Sequence, residues 1–295
     1  MGRVIIGIPT LGRAPILLQT ILSFSRQQRL PDLVVISCTS DADVAGLKDA
    51  NLPFAIRVIS GPKGATFQRN RILETLHPGD ILLLLDDDFL MAADYLTRLE
   101  RIFDADPDVA MLTGTVLADG ILGPGYSHDQ GRAIIKTHPV STPREGLIDV
   151  ANGYGCNFAF RADPVLEHGI RFDERLPLYS WLEDVDFSTQ LSPHGRIVRA
   201  EALRGVHLGT KGGRTPGLLF GYSQIANPLY LMRKGTMPPG RAVAQMLRNM
   251  AANIVRSVVP QPWADHRGRL RGNLVAIGDV LRGRASPERI LSLKS

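Results

Sequence analysis

Short apolar runs alternate with longer segments of helical periodicity along the first hundred residues of the chain. The runs are rich in β-branched residues, and the segments between them carry apolar residues at every third or fourth position. This alternation is typical of βα units that lie in a mostly parallel sheet. The predicted strands are 4–8, 33–36, 54–59, 81–85 and 109–116, and the predicted helices are 16–24, 41–50, 63–76 and 92–103.

The run 81–85 is the clearest strand of the chain. It reads Ile-Leu-Leu-Leu-Leu, so both of its faces are apolar, as in a central strand that helices cover on each side. The turn residues Pro78, Gly79 and Asp80 come directly before it. We therefore expect 81–85 to be a central strand of the sheet.

The pattern is weaker in the second half of the chain. Residues 119–146 are rich in Gly and Pro and lack periodicity, which indicates a working loop or short strands that the pattern does not reveal. The remaining predicted elements are strands at 157–161 and 196–200, helices at 164–168 and 183–191, and a wholly helical region over 218–295.

The composition is that of a globular protein with a full core. The chain has 295 residues, of which 44% are hydrophobic, and a mean hydropathy of +0.01. No run reaches the roughly 18 apolar residues that a spanning helix needs, and the strand-like start differs from a signal peptide. Cys38 and Cys156 form neither a disulfide framework nor a structural zinc pattern. We therefore expect a cytoplasmic protein.

Charge is distributed unevenly along the chain. Residues 1–198 carry 18 Lys and Arg against 25 Asp and Glu, a net charge of −7, whereas 199–295 carry 16 against 4, a net charge of +12. A basic tail suits nucleic acid, an anionic membrane surface or acidic substrates. No aromatic-interleaved Arg/Lys pattern or zinc-finger spacing supports the first of these, so we expect no nucleic-acid partner.

Three consecutive acids follow the predicted central strand. Because side chains alternate along an extended segment, Asp86 and Asp88 of Asp86-Asp87-Asp88 are expected to face one side together. Carboxylates at the carboxyl edge of a central strand lie at the ligand crevice of an open α/β sheet, and their oxygens suit Mg²⁺ or Mn²⁺. The alternative is a capping cluster for the helix that begins near Ala92.

A second acidic group, Glu183-Asp184-x-Asp186, opens the predicted helix 183–191. The helix dipole favours acids at this position, so a solvated helix N-terminus is one interpretation. Trp181 favours another, because an aromatic side chain can carry a substrate ring while a neighbouring carboxylate acts as general base.

A glycine-rich segment with two cations, Lys211 and Arg214, follows His207. Its backbone and cations would suit a diphosphate, and His207 would suit a metal ion. The alternative interpretation is a plain surface loop.

Several short motifs follow one another in a fixed order. They are Val4-Ile5-Ile6-Gly7-Ile8-Pro9-Thr10 with Arg13, Gly64-Ala65-Thr66-x-x-Arg69-Asn70, Asp86-Asp87-Asp88, Asn157-x-Ala159-Phe160-Arg161, Phe172-Asp173-Glu174, Glu183-Asp184-x-Asp186 and His207. In order and spacing they resemble glycosyltransferase family 2 of the GT-A fold, over about residues 3–210. The resemblance implies a Rossmann-like α/β/α sandwich with a mixed, mostly parallel central sheet, here with a helical C-terminal extension.

The resemblance also implies an inverting glycosyltransferase that moves a sugar from a nucleotide-diphosphate donor to an acceptor hydroxyl, in polysaccharide or glycolipid assembly. The implied roles are metal binding by Asp86, Asp88 and His207, donor binding by Pro9, Thr10, Arg13, Arg69, Asp86 and Asp87, acceptor binding by Trp181 and Glu183, and general-base catalysis by Asp184. We expect a catalytic domain over 1–217, with a nucleotide-binding half over 1–118 and an acceptor-binding half over 119–217.

The chain departs from the family pattern after its second strand. Family members carry an acid there that recognises the donor base, whereas this chain reads Ser37-Cys38-Thr39-Ser40 before Asp41. A UDP-sugar is the default donor, with Ser37, Thr39 or Asp41 supplying the contact. GDP- and dTDP-sugars stay open.

Other classes fit the acids less well. A phosphotransferase of the haloacid-dehalogenase type carries Asp-x-Asp on its first strand, but here the acids follow about the fourth. A sugar nucleotidyltransferase would show a Gly-rich loop after strand one. A binding module without activity is the non-enzymatic alternative, and the presence of Asp86, Asp88 and Asp184 argues against it.

The basic tail contains two amphipathic segments. In the helix 241–258, an apolar stripe is opposite three arginines, and in the next segment Leu270, Leu274, Ile277 and Leu281 recur at helical spacing among further arginines. This pattern favours a tail at an anionic membrane, beside a lipid-linked or other membrane-delivered saccharide acceptor. The alternative is that both stripes pack on the catalytic domain or on a second subunit of a homo-oligomer.

Overall fold

The computed structural model describes residues 2–138, 146–212 and 215–293. They form two compact units. The first comprises 2–63, 67–171 and 190–212, and the second comprises 64–66, 172–189 and 215–293.

A mixed β-sheet forms the centre of the first unit. Its strands are β1 (Val4–Pro9), β2 (Leu33–Cys38), β3 (Ile56–Ser60), β4 (Ile81–Leu85), β5 (Phe89–Met91), β6 (Val109–Asp119), β7 (Leu147–Asp149), β8 (Asn157–Arg161) and β9 (Arg196–His207). The order is β3-β2-β1-β4-β8-β6-β9-β5, with β7 beside β9. The first four strands are parallel, β6 and β9 are parallel, and β8 runs antiparallel to both β4 and β6. The expected α/β architecture is confirmed.

Helices pack on this sheet through apolar stripes. They are α1 (Ala14–Phe24), α2 (Ala65–Leu73, whose first two residues belong to the second unit), α3 (Tyr95–Ala105), α4 (His128–Thr137) and α5 (Ala162–Glu167). Every residue of β4 is buried, as its apolar sequence predicts. In α1, Leu17, Ile21 and Phe24 share one face and join the main core with β4.

Some predicted boundaries in this unit are wrong. The predicted helix 41–50 is only a 3₁₀ turn at Asp41–Val44, since Ala45 has a non-helical ψ of 136° and Gly46 has a φ of +84°. Within 119–146, α4 escaped prediction because its apolar residues, 133–135, are consecutive and do not recur at helical spacing. Residues 139–145 of that segment lie outside the described residues. Strand β9 continues to His207, well beyond the predicted end at 200.

The second unit is helical, as predicted for the tail. It holds α6 (Glu183–Leu191, whose last two residues belong to the first unit), α7 (Gly217–Lys234), α8 (Pro239–Val258), α9 (His266–Leu281) and a 3₁₀ helix at Pro287–Ser292. Tyr222, Ile225 and Ala276 form the apolar contact of α7 with α9. Among the described residues, none of the helices has the length and apolar content needed to cross a bilayer.

Candidate active site

The three consecutive acids lie in the turn between β4 and β5. Strand β5 begins at Phe89, directly after them, and α3 begins only at Tyr95 with Asp94 at its N-cap position. The acids therefore do not cap this helix, and the alternative interpretation of the cluster is wrong. They stand at the carboxyl end of the buried strand β4, in a turn that the Phe89 N–H closes by donating to the Asp86 carbonyl at 3.1 Å.

Asp86, Asp88 and His207 converge on one point. The Nε2 atom of His207 lies 3.6 Å from Asp86 Oδ2 and 3.4 Å from Asp88 Oδ1, and each residue offers one ligand atom within 4.8 Å of the others. Asp88 Oδ1 is buried and has no hydrogen-bond partner among the described residues. Two carboxylates and an imidazole with an unsatisfied buried oxygen fit a divalent cation such as Mn²⁺ or Mg²⁺.

Asp87 points away from this triad and towards the loop after β1. Its Oδ2 atom accepts a hydrogen bond from Thr10 Oγ1 at 2.8 Å, and Arg13 forms an ion pair with its Oδ1 at 2.7 Å. Arg13 also lies 3.7 Å from Asp88. Thr10, Arg13 and Asp87, predicted together as donor-binding residues, are thus brought together by the fold.

Burial and charge set the protonation of the cluster. Burial raises the pKa of Asp86, and it raises the pKa of Asp87 to about 7 against the opposing charge of Arg13. Burial also disfavours ionised Asp88, but the positive charge of His207 and the hydrogen bond from the Thr210 N–H outweigh it and hold the pKa of Asp88 well below the usual range. Burial lowers and the surrounding carboxylates raise the pKa of His207, which reaches about 10.

Two side chains of α2 border the cluster. Arg69, a predicted donor-binding residue, lies 3.5 Å from Asp86 and donates to the Gly155 carbonyl at 2.8 Å. Gln68, which the sequence did not single out, is buried and donates to the carbonyls of both Thr10 and Ser37. It ties the ends of β1 and β2 together, next to Pro9, the last residue of β1.

Two acids follow β2, Asp41 and Asp43, and Asp43 makes its hydrogen bonds within the protein. It accepts from the backbone N–H groups of Gly12, Thr39 and Ser40 at 2.7 to 3.0 Å and from the Thr39 hydroxyl at 2.8 Å. Burial opposes ionisation, but these donors hold the pKa of Asp43 below its usual value. Three residues were predicted to contact the donor base. The Thr39 hydroxyl donates to Asp43, the Ser37 hydroxyl accepts from Arg71, and Asp41 is exposed.

Asp119 is the second functional residue that the sequence did not reveal. It is the last residue of β6, and its Oδ1 atom lies 2.9 Å from His207 Nδ1. It lies in the segment whose pattern was uninformative, and its position beside His207 depends on the pairing of β6 with β9.

The loop after His207 is fixed to the same region. The Thr210 N–H donates to Asp88 at 2.7 Å, and Lys211 Nζ donates to the carbonyls of Gly120 and Ile121. Gly209 has a φ of +67° and a Cβ atom there would lie 2.2 Å from the backbone of Gly120, so only glycine fits this contact. Diphosphate binding by this loop stays a prediction, and Arg214 lies outside the described residues.

The second acidic group belongs to the second unit, at the start of α6. Asp186 is fully buried and bonded to Lys234 Nζ at 2.8 Å, and Asp173 accepts from the same ammonium at 2.7 Å. Glu183 is buried, whereas Asp184 is half-buried, with one oxygen 2.8 Å from the Val185 N–H. The three acids therefore differ in their surroundings.

The segment before α6 is strained. Leu178, Ser180 and Leu182 have φ angles of 62°, 57° and 75°, a region that non-glycine residues rarely occupy. The Trp181 carbonyl accepts from Asn227 at 2.8 Å, and its ring contacts the Phe220 ring edge-on at 5.9 Å. Left-handed residues of this kind cost of order 1 to 3 kcal/mol each and cluster at functional sites.

Comparisons with known proteins identify the family of this chain. The family described as "Glycosyl transferase family 2" matches residues 5–169. The glucosyl-dolichyl phosphate glucuronosyltransferase of Haloferax volcanii is 27% identical over 108 residues, which cover 36% of this chain and 34% of that protein. The chain thus matches about a third of the length of this relative.

Solved structures share the fold at low identity. Residues 1–349 of S. aureus TarS in complex with UDP-GlcNAc have a TM-score of 0.57 and 15% identity, covering 98% of this chain and 82% of that one. In a longer TarS structure, the match covers 40% of that chain. The mannosyltransferase PcManGT from Pyrobaculum calidifontis, with GDP-Man and Mn²⁺, has a TM-score of 0.55 and 17% identity over 95% of this chain and 80% of that one. The predicted GT-A type fold is confirmed.

Proposed function

Since the chain belongs to glycosyltransferase family 2, we propose that it is an inverting glycosyltransferase that moves a sugar from a nucleotide-diphosphate donor to an acceptor hydroxyl. In this proposal residues 1–217 form the catalytic domain. The half over 1–118 binds the nucleotide, the half over 119–217 binds the acceptor, and 218–295 form a basic helical region.

The observation that carries the proposal is the convergence of Asp86, Asp88 and His207 around a buried oxygen that lacks a hydrogen-bond partner among the described residues. These residues would hold Mn²⁺ or Mg²⁺, and a bound cation would neutralise charge on the departing diphosphate. Arg13 and Arg69 supply fixed positive charge beside the cluster. Pro9, Thr10 and Asp87 complete the proposed donor site around Arg13.

Asp184 is the proposed general base. It takes the proton of the acceptor hydroxyl while the acceptor oxygen bonds to the anomeric carbon from the face opposite the diphosphate, whose bond to that carbon breaks. Among the neighbouring acids, Asp186 is bonded to Lys234 and Glu183 is buried, which leaves Asp184 as the most accessible carboxylate. Trp181 and Glu183 are the proposed acceptor contacts.

The proposed donor is a UDP-sugar by default, with GDP- and dTDP-sugars as alternatives. The structural neighbours include one complex with UDP-GlcNAc and one with GDP-Man. The side chains of Asp43 and Thr39 already bond to each other, and Asp43 also bonds to backbone N–H groups of the loop after β2. We therefore propose that backbone groups of this loop, or Asp41, contact the base of the donor nucleotide.

A donor panel tests the activity. The full chain is incubated with UDP-, GDP- and dTDP-sugars in Mn²⁺, in Mg²⁺ and in chelator, and released products are separated by chromatography. Metal-dependent release of nucleoside diphosphate from one donor supports the proposal. Release of inorganic phosphate instead would point to the phosphatase alternative, and metal-dependent binding without turnover on any acceptor would point to a binding module.

We propose further that the acceptor is a saccharide, lipid-linked or otherwise delivered at an anionic membrane on which the protein sits peripherally, from the cytoplasmic side. The support is the outer face of α8. Its apolar side chains are exposed, Leu247 by 56%, Val255 by 67% and Val258 by 76%, so this stripe does not pack on the described chain. An apolar helix face with basic flanks suits the interface of an anionic bilayer.

The charges around this face complement such a surface. Arg248, Arg256, Arg267 and Arg271 are exposed, and none forms an ion pair in the part of the chain that the structure describes. Between 235 and 271 the sequence has a single acid, Asp265, whose carboxylate accepts from the Gly268 N–H at the start of α9. Each cation near an anionic surface contributes about 1 kcal/mol and is screened by salt.

Flotation with vesicles of phosphatidylcholine and phosphatidylglycerol tests this placement. The full chain should float at low salt and be released at high salt. The variant Arg248→Gln/Arg256→Gln/Arg267→Gln should bind about a hundredfold more weakly, from three contributions of about 1 kcal/mol. Arg26→Gln/Arg57→Gln/Arg101→Gln removes equal charge from exposed positions of the first unit and should float normally.

Equal behaviour of the two triple variants would overturn the membrane proposal. So would a protein that does not float but sediments as an oligomer, if Leu247→Ser/Val258→Ser converts it to a monomer. That result would assign the α8 face to a second copy of the chain.

A further inference from the structure

His207 is held in register between two strands. On β9 it pairs with Asp119 of the parallel strand β6 and with Phe89 of the antiparallel strand β5. Phe89 follows Asp88 directly in sequence. The pairing of β5 with β9 therefore fixes where His207 lies along its strand relative to the acidic cluster. The backbone thus brings one further carboxylate, that of Asp119, to the side of the imidazole that faces away from Asp86 and Asp88.

The two ring nitrogens of His207 face different partners. Nδ1 lies 2.9 Å from Asp119 Oδ1, within hydrogen-bond distance, whereas Nε2 lies 3.4 Å and 3.6 Å from the carboxylates of the cluster. An ionised carboxylate only accepts hydrogen bonds, so the proton must be on Nδ1. A cation bound at Nε2 would take the place of the second ring proton, beside Asp86 and Asp88, while Nδ1–H would keep its hydrogen bond to Asp119.

Asp119 is itself fixed in place. Its Oδ1 atom accepts from the Ile121 N–H at 3.0 Å, and its Oδ2 atom accepts from the Tyr154 hydroxyl. The close approach of Gly120 and Gly209, which follow near Asp119 and His207, locks the two strand ends together. The carboxylate therefore has little freedom to leave the imidazole.

We propose that Asp119 is a positioning residue for the cation site, that it fixes the Nδ1–H tautomer and ring orientation of His207, and that Tyr154 holds Asp119 in that role. This inference rests on the proposed function, because it assumes that Asp86, Asp88 and His207 take a divalent cation. Carboxylates that accept from a metal-binding histidine typically improve metal affinity by about 10- to 100-fold.

Mn²⁺ affinity, measured without donor, tests the inference. Free Mn²⁺ is followed by electron paramagnetic resonance as it is titrated with the full chain. Asp119→Ala should weaken Mn²⁺ binding by about 10- to 100-fold. Asp119→Asn should restore much of it, because the amide oxygen still accepts from Nδ1–H, and Tyr154→Phe should cost less than Asp119→Ala. Asp104→Ala, at an exposed acid of α3, should bind as wild type.

A second readout separates positioning from general stability. In protein saturated with Mg²⁺, the Nδ1–H proton of His207 should give a slowly exchanging, downfield-shifted ¹H resonance in wild type and in Asp119→Asn, and a rapidly exchanging one in Asp119→Ala. Wild-type Mn²⁺ affinity in Asp119→Ala, together with its loss in Asp86→Ala/Asp88→Ala, would overturn the role of Asp119 alone. If wild type itself binds no Mn²⁺, the metal site of the proposed function fails as well.

Discussion

The two acidic clusters of this molecule differ in what balances their charge. In the first unit, Asp86 and Asp88 converge on His207, while Arg69 and Arg13 lie 3.5 and 3.7 Å from them. In the second unit, Asp173 and Asp186 both bond to the ammonium of Lys234 at under 3 Å.

This difference is the reason why we propose a cation site at the first cluster and a structural ion pair at the second. Asp173 and Asp186 have a counter-ion from the protein itself, the ammonium of Lys234, and this ion pair links α6 and α7. Acids that converge without such a partner, and leave a buried oxygen unsatisfied, fit a cation from solution. Asp184 belongs to neither the acids around His207 nor those bonded to Lys234. It is close to Asp186 in sequence, but it is half-buried, whereas Asp186 is fully buried.

The largest expected effect is on the first cluster. Asp88→Ala should reduce metal-dependent turnover by about a thousandfold or more, because several kcal/mol of charge stabilisation is lost with the cation. Asp86→Ala should be similarly damaging. Turnover is measured as nucleoside diphosphate release, with Asp104→Ala as a matched control. Wild-type metal dependence in either variant would refute the assignment of the site.

Asp184→Asn should separate catalysis from binding. The amide keeps the shape but cannot take a proton, so kcat should fall by about 10²- to 10⁴-fold while donor affinity stays near wild type. Donor binding is measured by calorimetry on the same preparation. Turnover within a few-fold of wild type would move the role to Glu183 rather than Asp186, since Lys234 holds Asp186.

Lys234→Met should affect stability and not donor binding. It leaves the fully buried Asp186 beside Asp173 without their counter-ion, and because Lys234 is partly exposed we expect a loss of about 2 kcal/mol, seen as a Tm several degrees lower. Lys136→Met, at an exposed lysine of α4, is the control. Equal Tm values for the two variants would show that the Lys234 pair does not hold the second unit together.

A smaller effect should appear in acid. Burial disfavours the Asp173 carboxylate, but hydrogen bonds from Lys234 and Tyr230 outweigh it, so its pKa in the folded protein is below the usual value. Its contribution to stability is therefore present above the unfolded pKa of about 4 and is lost as pH falls through the lower folded pKa. Denaturation midpoints of Asp173→Asn should decline less steeply below pH 5 than those of wild type. Parallel curves would contradict this sign.

Local pattern was enough to predict the centre of the first unit. The all-apolar run of β4 and the acids after it are adjacent in sequence, so the strand and the cluster could be inferred together. The exact span of α6, Glu183–Leu191, also followed from its periodicity. The prediction of a helix at 41–50 was wrong. Gly46 has a positive φ, which a right-handed helix does not allow, and the spacing of apolar residues gives no information on backbone dihedral angles.

The partners of the acids could not be predicted, because long-range register decides them. Asp119 reaches His207 only after register shifts between β6 and β9, so sequence spacing gives no sign of the pair. Gln68 and Asp43 bond to backbone groups of distant loops, and polar residues of this kind look like ordinary surface residues in a sequence. Lys234, at the end of α7, is 48 residues from Asp186 in sequence, so their hydrogen bond depends on the tertiary fold.

Nucleotide binding to the metal-loaded protein tests the central claim most directly. Thermal unfolding of the full chain is measured with UDP, GDP and dTDP, each in Mn²⁺ and in chelator, for wild type and for Asp86→Ala/Asp88→Ala. A ligand at about 100 times its Kd stabilises the folded state by about 2.7 kcal/mol. We predict that at least one diphosphate raises the Tm of wild type in Mn²⁺ only, and that the double variant shows no such rise. An equal rise in chelator, an equal rise in the double variant, or no rise with any diphosphate would contradict the account.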